Sequence, residues 1–362
     1  MQKYEKTGNN TIFSTVFLYF MEKNSNFAVM SEEMDKIFMS EEMDKLYMRR
    51  CLQIAANGRQ NARPNPMVGA VIVCNGRVIG EGYHVRCGEG HAEVNAFASV
   101  RKEDEHLLPQ STIYVSLEPC SHYGKTPPCA DLIVSKRVKG VVVGCVDPFA
   151  EVSGRGIRKL RDAGIEVTIG VLEAECRKLN SRFMTFNEKH RPYIILKWAQ
   201  SLDGFIDKDF KPFTFSTPFT QMLSHKLRAE NDAILVGHTT AMHDNPSLTV
   251  RAWWGRNPMR LILDSHNPCF EEMDPKEPLL PQLMECLYKR KVQSLIVEGG
   301  AYTHRQFIEA GLWDEIRVET APVNVSRGTV SPSIPSNAVV ASTENYNGNV
   351  ITTYIRANAG RH

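Results

Sequence analysis

A chain of 362 residues, 42% hydrophobic and 23% charged, is long enough for two domains, each with its own core. A formal net charge of +2 excludes the electrostatic pull toward nucleic acid or anionic membrane that a strongly basic chain would have. No apolar run is long enough for a membrane span, and the nine cysteines follow no spacing that marks a disulfide framework, which suits a reducing, cytoplasmic setting.

Residues 1–42 read as an extension that the fold does not need. Residues 11–21 are apolar and follow Lys3 and Lys6, but no small-residue cleavage pattern comes after them, so they are not read as a signal peptide. A nine-residue repeat, 31–39 then 40–48, runs into a helical pattern with Leu46, Cys51, Ile54 and Ala55 on one face, capped by Ser40 or Asp44. Met30, Met34, Met39 and Met43 would each serve as an alternative start.

Strands are expected at 68–74 and 77–83, joined at Asn75-Gly76, a strong hairpin signal. A helix over 91–100 presents His91 in its first turn, and 112–116 is a buried strand. A second helix opens at Pro128 with Cys129 just inside it. A strand over 138–145, a helix over 154–163, a strand over 166–170 and a helix over 172–187 complete a three-layer α/β domain, 43–190.

The chemistry concentrates in His91-Ala92-Glu93, Pro119-Cys120 and Pro128-Cys129. One imidazole and two thiols are soft enough to hold zinc, and three protein ligands leave a fourth position for water, the mark of a catalytic site. Glu93 lies close to the metal without needing to bind it and can carry protons. This is the arrangement of the zinc deaminases. The bland alternative is a structural zinc site or scattered core residues. The Glu and the prolines that accompany the ligands favour the catalytic reading.

Eight residues separate Cys120 from Cys129, where nucleic-acid and nucleoside deaminases usually have two. That longer loop, with His122, Gly124, Lys125 and Pro127-Pro128, resembles the deaminase of riboflavin biosynthesis. So do Pro64-Asn65-Pro66-Met67-Val68-Gly69, Asp147-Pro148 and Gly154-Arg155-Gly156. The resemblance places the substrate near Asn65, His84 and Lys125.

The second domain, 191–362, alternates strands at 194–199, 233–237, 259–263, 294–297, 315–320 and 350–355 with helices at 217–230, 279–289 and 303–310. That order argues a parallel-rich sheet. Ser216 or Thr217 caps the first helix, with Pro218 in its opening turn. Lys197 with Ser201-Leu202-Asp203-Gly204, Asp244-Asn245-Pro246-Ser247-Leu248-Thr249 with Arg251, Pro258–Asp264 and Val297-Glu298-Gly299-Gly300 resemble the reductase half of the bifunctional riboflavin biosynthesis family. The resemblance implies a dihydrofolate-reductase-like fold and NADPH, placed near Ala199, Thr240, Asp244, Ser265, Gly300 and Ala301. It places the reductase substrate near Lys197, Arg228, Leu248, Arg251 and Glu298. Independently, Arg228 and Arg251 are of the residue type that clamps phosphate, although a lone Arg is more often a solvated surface charge. Three departures stand out. Residues 210–215 lack the family's Gly and Trp, Phe149 replaces an Asn, and the stretch from Asp264 to Glu298 is shorter by about one strand and helix.

The expectation is thus an α/β chain, an N-terminal three-layer cytidine-deaminase-like domain plus a C-terminal dihydrofolate-reductase-like domain. It would bind one Zn2+ and NADPH, act on a small phosphorylated pyrimidine, and form a homo-oligomer with no nucleic-acid or membrane partner. A second reading keeps only the deaminase, with the reductase impaired by the shortened 264–298 segment. Two other classes are a nucleic-acid base deaminase, which binding or deamination of an oligonucleotide would favour, and a non-catalytic zinc protein, which zinc without turnover would favour.

Overall fold

The computed structural model describes residues 27–122, 127–149, 153–263, 268–271 and 273–357, with side chains from residue 39 onward. Lys125, Asp264 and Ser265 lie outside these residues.

Helix α1, Phe27–Ala55, starts well before the expected cap. Neither Ser40 nor Asp44 ends it; instead Asp44 accepts a 2.7 Å hydrogen bond from the Tyr114 hydroxyl. A nine-residue step on a helix is about two and a half turns, so equivalent positions of the repeat face opposite sides. Accordingly Met48 is fully buried whereas Met39 is exposed. The packed face is Tyr47, Met48, Cys51, Ile54 and Ala55; Leu46, expected on it, is half exposed.

Strands β1 (Gly69–Cys74) and β2 (Arg77–Tyr83) form the expected hairpin, with Asn75 and Gly76 both at positive φ in its turn. They join β3 (Thr112–Val115), β4 (Gly140–Val143) and β5 (Glu166–Ile169) in the order β2-β1-β3-β4-β5. The β3–β4 and β4–β5 pairings are parallel. Alternation along β1, β3 and β4 divides their side chains between two cores. Ile72, Ile113 and Val143 pack with α2 (Ala92–Ala98), α3 (Cys129–Lys136) and α4 (Arg155–Asp162). Val71, Tyr114 and Val142 pack with α1 and with Cys176 and Met184. The result is three layers. The helix expected over 172–187 is two, α5 (Glu173–Leu179) and α6 (Ser181–Lys189). The break falls at Asn180, whose side chain is spent on both main-chain groups of Met67, each at 2.8 Å.

The second sheet takes β6 (Tyr193–Gln200), β7 (Ala233–Gly237), β8 (Met259–Leu263), β9 (Ser294–Val297), β10 (Glu315–Thr320), β11 (Ala338–Tyr346) and β12 (Asn349–Arg356) in the order β11-β12-β10-β6-β9-β7-β8. Strands β10, β6, β9, β7 and β8 are parallel. The hairpin β11–β12 adds antiparallel pairs, and β11 escapes a sequence search because it is exposed along nearly its whole length, without alternation. Helix α7 (Pro218–Ala229) carries the expected Thr217 cap, whose hydroxyl accepts from the Thr220 N–H at 3.2 Å. Helix α8 (His238–Asp244) follows β7 directly and was not anticipated; it has no buried residue to give it a periodic face.

Between β8 and β9 the described residues hold only α9 (Pro268–Glu271) and α10 (Leu279–Lys289), so β8 forms the edge of the sheet. Cys269 and Cys286 are joined there as a single disulfide in the main core, which the absence of a framework spacing did not anticipate. Their separation of 17 residues carries no signature; the fold-back of α10 on α9 brings their Cα atoms to 6.0 Å. Among the described residues no helix is long and apolar enough to cross a membrane.

Candidate active sites

Helix N-termini build the first site. His91 is the N-cap residue of α2, and Cys129 is the first residue of α3. Cys120 lies on the loop after β3, and its sulfur accepts from the Cys129 N–H at 3.3 Å. The His91 Nδ1 lies 3.5 Å from the Cys120 Sγ and 3.3 Å from the Cys129 Sγ. All three donor atoms fall within 4.8 Å of one another. Tetrahedral zinc with ordinary Zn–N and Zn–S bonds needs an N-to-S separation of about 3.6 Å, so the donor set fits that metal. The Cys129 thiol and His91 hydrogen-bond to Cys120 and hold its thiol well below the ordinary thiol range, which favours the thiolate that a metal requires.

Glu93 is buried in the first turn of α2. Burial, then the Cys120 charge, push its carboxyl up to about 7. Such a group can hold or release a proton near neutral pH. Asn65 and His84 flank this corner. Asn65 Nδ2 lies 3.1 Å from His84 Nε2, and the His84 ring packs edge-on against His91 at 5.3 Å between centroids.

Sequence reasoning missed Glu118. It is buried and accepts from the N–H groups of Asp147, Gly154, Gly156 and Ile157. It therefore pins the loop carrying Cys120 to the start of α4. Gly156 is required there, because a Cβ would lie 2.0 Å from the Pro119 carbonyl oxygen. The available signal was a Glu directly before Pro119-Cys120 together with the downstream Gly154-Arg155-Gly156.

The second site lies at the carboxyl ends of β6, β7 and β9. Glu298 follows β9 and is largely buried. Burial alone would raise its carboxyl, but Lys197 and then Arg228 hold it below the ordinary range. Arg228, near the end of α7, donates to Glu298 at 2.7 Å and to the Thr249 carbonyl at 3.3 Å, so it is an anchored group rather than a solvated one. Leu248 is buried at positive φ, so main-chain groups are what it can present to a ligand. Arg251 is exposed; its N–H meets the His225 Nδ1 at 3.1 Å.

Two residues beyond Glu298, the Gly300 N–H donates to the Thr240 hydroxyl at 2.9 Å, just before α11 (Ala301–Glu309). A Cβ on Gly299 would lie 2.4 Å from the Gly237 nitrogen, so only glycine lets this turn pass the end of β7. Ala199 is half-buried near the end of β6, and Asp244 ends α8, exposed. Asp203, read as a motif residue, accepts from the N–H groups of Val325 and Ser326 at 3.2 and 2.8 Å and so closes a loop.

A metal corner at paired helix N-termini on a three-layer sheet, followed by a parallel sheet with a Gly-Gly turn, defines a zinc deaminase joined to a reductase. The family of the cytidine and deoxycytidylate deaminase zinc-binding region matches residues 41–145, and that of the RibD C-terminal domain matches 192–339. The chain is 37% identical over 315 residues to the riboflavin biosynthesis protein RibD of Aquifex aeolicus, covering 76% of this chain and 86% of that one. It is 36% identical over 321 residues to RibD of Escherichia coli, covering 75% and 86%. The solved diaminohydroxyphosphoribosylaminopyrimidine deaminase/5-amino-6-(5-phosphoribosylamino)uracil reductase of Thermotoga maritima superposes with a TM-score of 0.78 at 34% identity, over 88% of this chain and all (100%) of that one. RibD of Acinetobacter baumannii superposes at 0.76 and 28% identity, over 88% and 100%. The chain belongs to the RibD family: it is a bifunctional deaminase and reductase of riboflavin biosynthesis. The match to the RibD C-terminal domain runs through the shortened segment, so the deaminase-only reading gains no support.

Proposed function

We propose that residues 43–190 deaminate a diaminopyrimidine ribosyl phosphate, and that residues 191–362 then reduce its ribosyl chain to ribityl with NADPH. The carrying observation is the convergence of His91, Cys120 and Cys129 beside a buried Glu93. These three residues would hold zinc, which supplies the Lewis acid that makes water a nucleophile at neutral pH. Glu93 accepts the water's proton as attack on the amino-bearing ring carbon begins, and passes it to the departing nitrogen. A carboxyl at about 7 suits both halves of that exchange. Asn65 and His84 orient the base against Glu93, and Lys125 meets the phosphate.

In the second site NADPH supplies the hydride when bound. Lys197, Arg228, Arg251 and Glu298 orient the phosphorylated substrate, with Leu248 offering its main chain. Ala199, Thr240, Asp244, Ser265 and the Gly300-Ala301 turn flank the cofactor. The Gly300 turn opens a helix, where main-chain N–H groups favour phosphate oxygens. Positioning and charge carry the step without a protein nucleophile.

Incubation with the diaminopyrimidine ribosyl phosphate, without and with NADPH, tests both halves by product mass. Exchange of an amino group for oxygen is expected without NADPH, and addition of two hydrogens with it. Unchanged substrate in both arms overturns the proposal.

A further inference from the structure

The loop before β1 brings Asn65 to the zinc corner, yet much of what holds that loop comes from the other half of the chain. Arg63 Nη1 pairs with Asp232 Oδ1 at 3.0 Å, and Arg63 Nη2 donates to the Ala229 carbonyl at 2.9 Å. Both acceptors lie at the turn between α7 and β7 of the second sheet. The next residue is held from there too: Gln293 Nε2 donates to the Pro64 carbonyl at 2.8 Å. These partners are themselves fixed. Asp232 Oδ2 accepts from the Gln293 N–H at 3.1 Å and from the Ser294 hydroxyl at 3.0 Å.

Beyond Asn65, Asn180 clamps both main-chain groups of Met67. Asn65 is therefore strung between a clamp in its own half and a clamp in the other half. Its amide reaches His84, which packs on His91. The Arg63 side chain is only 19% exposed, so its charge is tolerable there because Asp232 answers it.

We propose that Arg63 is a positioning residue for the deamination, and that Asp232 and Gln293 of the reductase half complete the deaminase's substrate loop. This rests on the assignment of Asn65 to the deaminase substrate. Deamination would then depend on the second half of the chain being folded and docked, through the loop that carries Asn65.

The test uses the full-length chain with Arg63→Met, Arg63→Lys and Gln293→Ala. Arg63→Met keeps the bulk and removes the charge, Arg63→Lys keeps the ion pair, and Gln293→Ala deletes a single bond from the far side. Arg63→Met is expected to raise the deaminase KM about tenfold with kcat within about threefold, as for lost ground-state positioning, and Arg63→Lys to recover most of that loss. Gln293→Ala should raise the same KM about threefold, with zinc content and NADPH-dependent reduction unchanged. Wild-type KM in both Arg63→Met and Gln293→Ala overturns the inference. So does a loss in which kcat, zinc and melting temperature fall together and Arg63→Lys rescues nothing. If Arg63→Met does not fold, Gln293→Ala decides alone. A wild-type enzyme that leaves the aminopyrimidine untouched would instead overturn the functional assignment, a result separable from any of these.

Discussion

In the zinc corner, three donor atoms within 4.8 Å come from a stretch bounded by His91 and Cys129. The candidate site of the second sheet instead draws on Lys197 from β6, Arg228 from α7, Arg251 from a loop and Glu298 just after β9. The first site rests on the identity of three side chains that could together hold a metal. The second depends on anchored charges and on a main-chain turn that only glycine permits. Damage should therefore be all-or-none at the first site and graded at the second.

The largest effect should follow Cys120→Ser or Cys129→Ser. Wild type is expected to carry about one zinc per chain, as a three-ligand site implies, and each variant almost none. Metal analysis reads this directly, and full zinc in both variants would remove these cysteines from the ligand set. Glu93→Gln comes next. It spares the donors, so zinc and reductase activity should persist while deamination falls by about 10²–10⁴-fold. A loss below about tenfold would mean that another group moves the proton.

At the second site, Glu298→Gln leaves Arg228 and Lys197 facing a neutral amide in a largely buried setting. The loss of stability at pH 7 should be about 3 kcal/mol, as for a broken buried pair. Glu298 titrates below its unfolded range in the folded chain. Its contribution is thus complete above the unfolded carboxylate range, about pH 4.3, and disappears as pH falls through the lower folded value. Urea unfolding of wild type and variant at pH 7 and at about pH 3.5 should show the gap narrowing. A gap that widens in acid would mean that Glu298 is protonated in the folded chain.

The shortened segment between β8 and β9 should have a milder effect. The Gly300 turn and Thr240 are in place, so NADPH should still bind, but with fewer groups along the β8 edge. One missing charge-assisted hydrogen bond would weaken binding by about one to two orders of magnitude. Titration of the full chain and of the Thermotoga maritima enzyme, side by side with NADPH and NADH, measures that gap. Equal affinity would show that the segment is immaterial to the cofactor.

The same contrast explains what could be read in advance. Asn75-Gly76 and Thr217-Pro218 are local, each acting on neighbours a few positions away; the zinc corner spans 29 and 38 residues but shows in sequence because His, Glu, Pro and Cys stand together in short recognisable motifs. Strands β6, β7 and β9 showed themselves as apolar runs because both faces of the sheet are covered there. Glu118, Arg63, and the Cys269–Cys286 pair act across long separations or across a fold-back. An acid beside a proline, an arginine before one, and two cysteines in unremarkable spacing look like ordinary residues until the chain folds. Helix α8 and strand β11 lacked a buried face and left no periodicity to find.

The smallest effect should come from removing residues 1–38, so that the chain starts at Met39. Helix α1 begins at Phe27, but its buried side chains among those described start at Tyr47, whereas Met39, Ser40 and Glu41 are exposed. The truncated helix keeps about five turns, including Met48, Cys51 and Ala55, whose buried side chains seal one face of the first sheet. Its only ion pair in the stretch retained before Tyr47, Lys45 with Glu42, is internal to the helix and exposed, so it adds little. The melting temperature should therefore stay within about 2 °C of the full chain, under about 1 kcal/mol for a protein of this size. Both kcat/KM values should stay within about twofold, since every residue assigned to either site lies at Asn65 or beyond. A fall of more than about 5 °C would show that the extension packs on one of the two halves, and the domain would then have to begin earlier than residue 43.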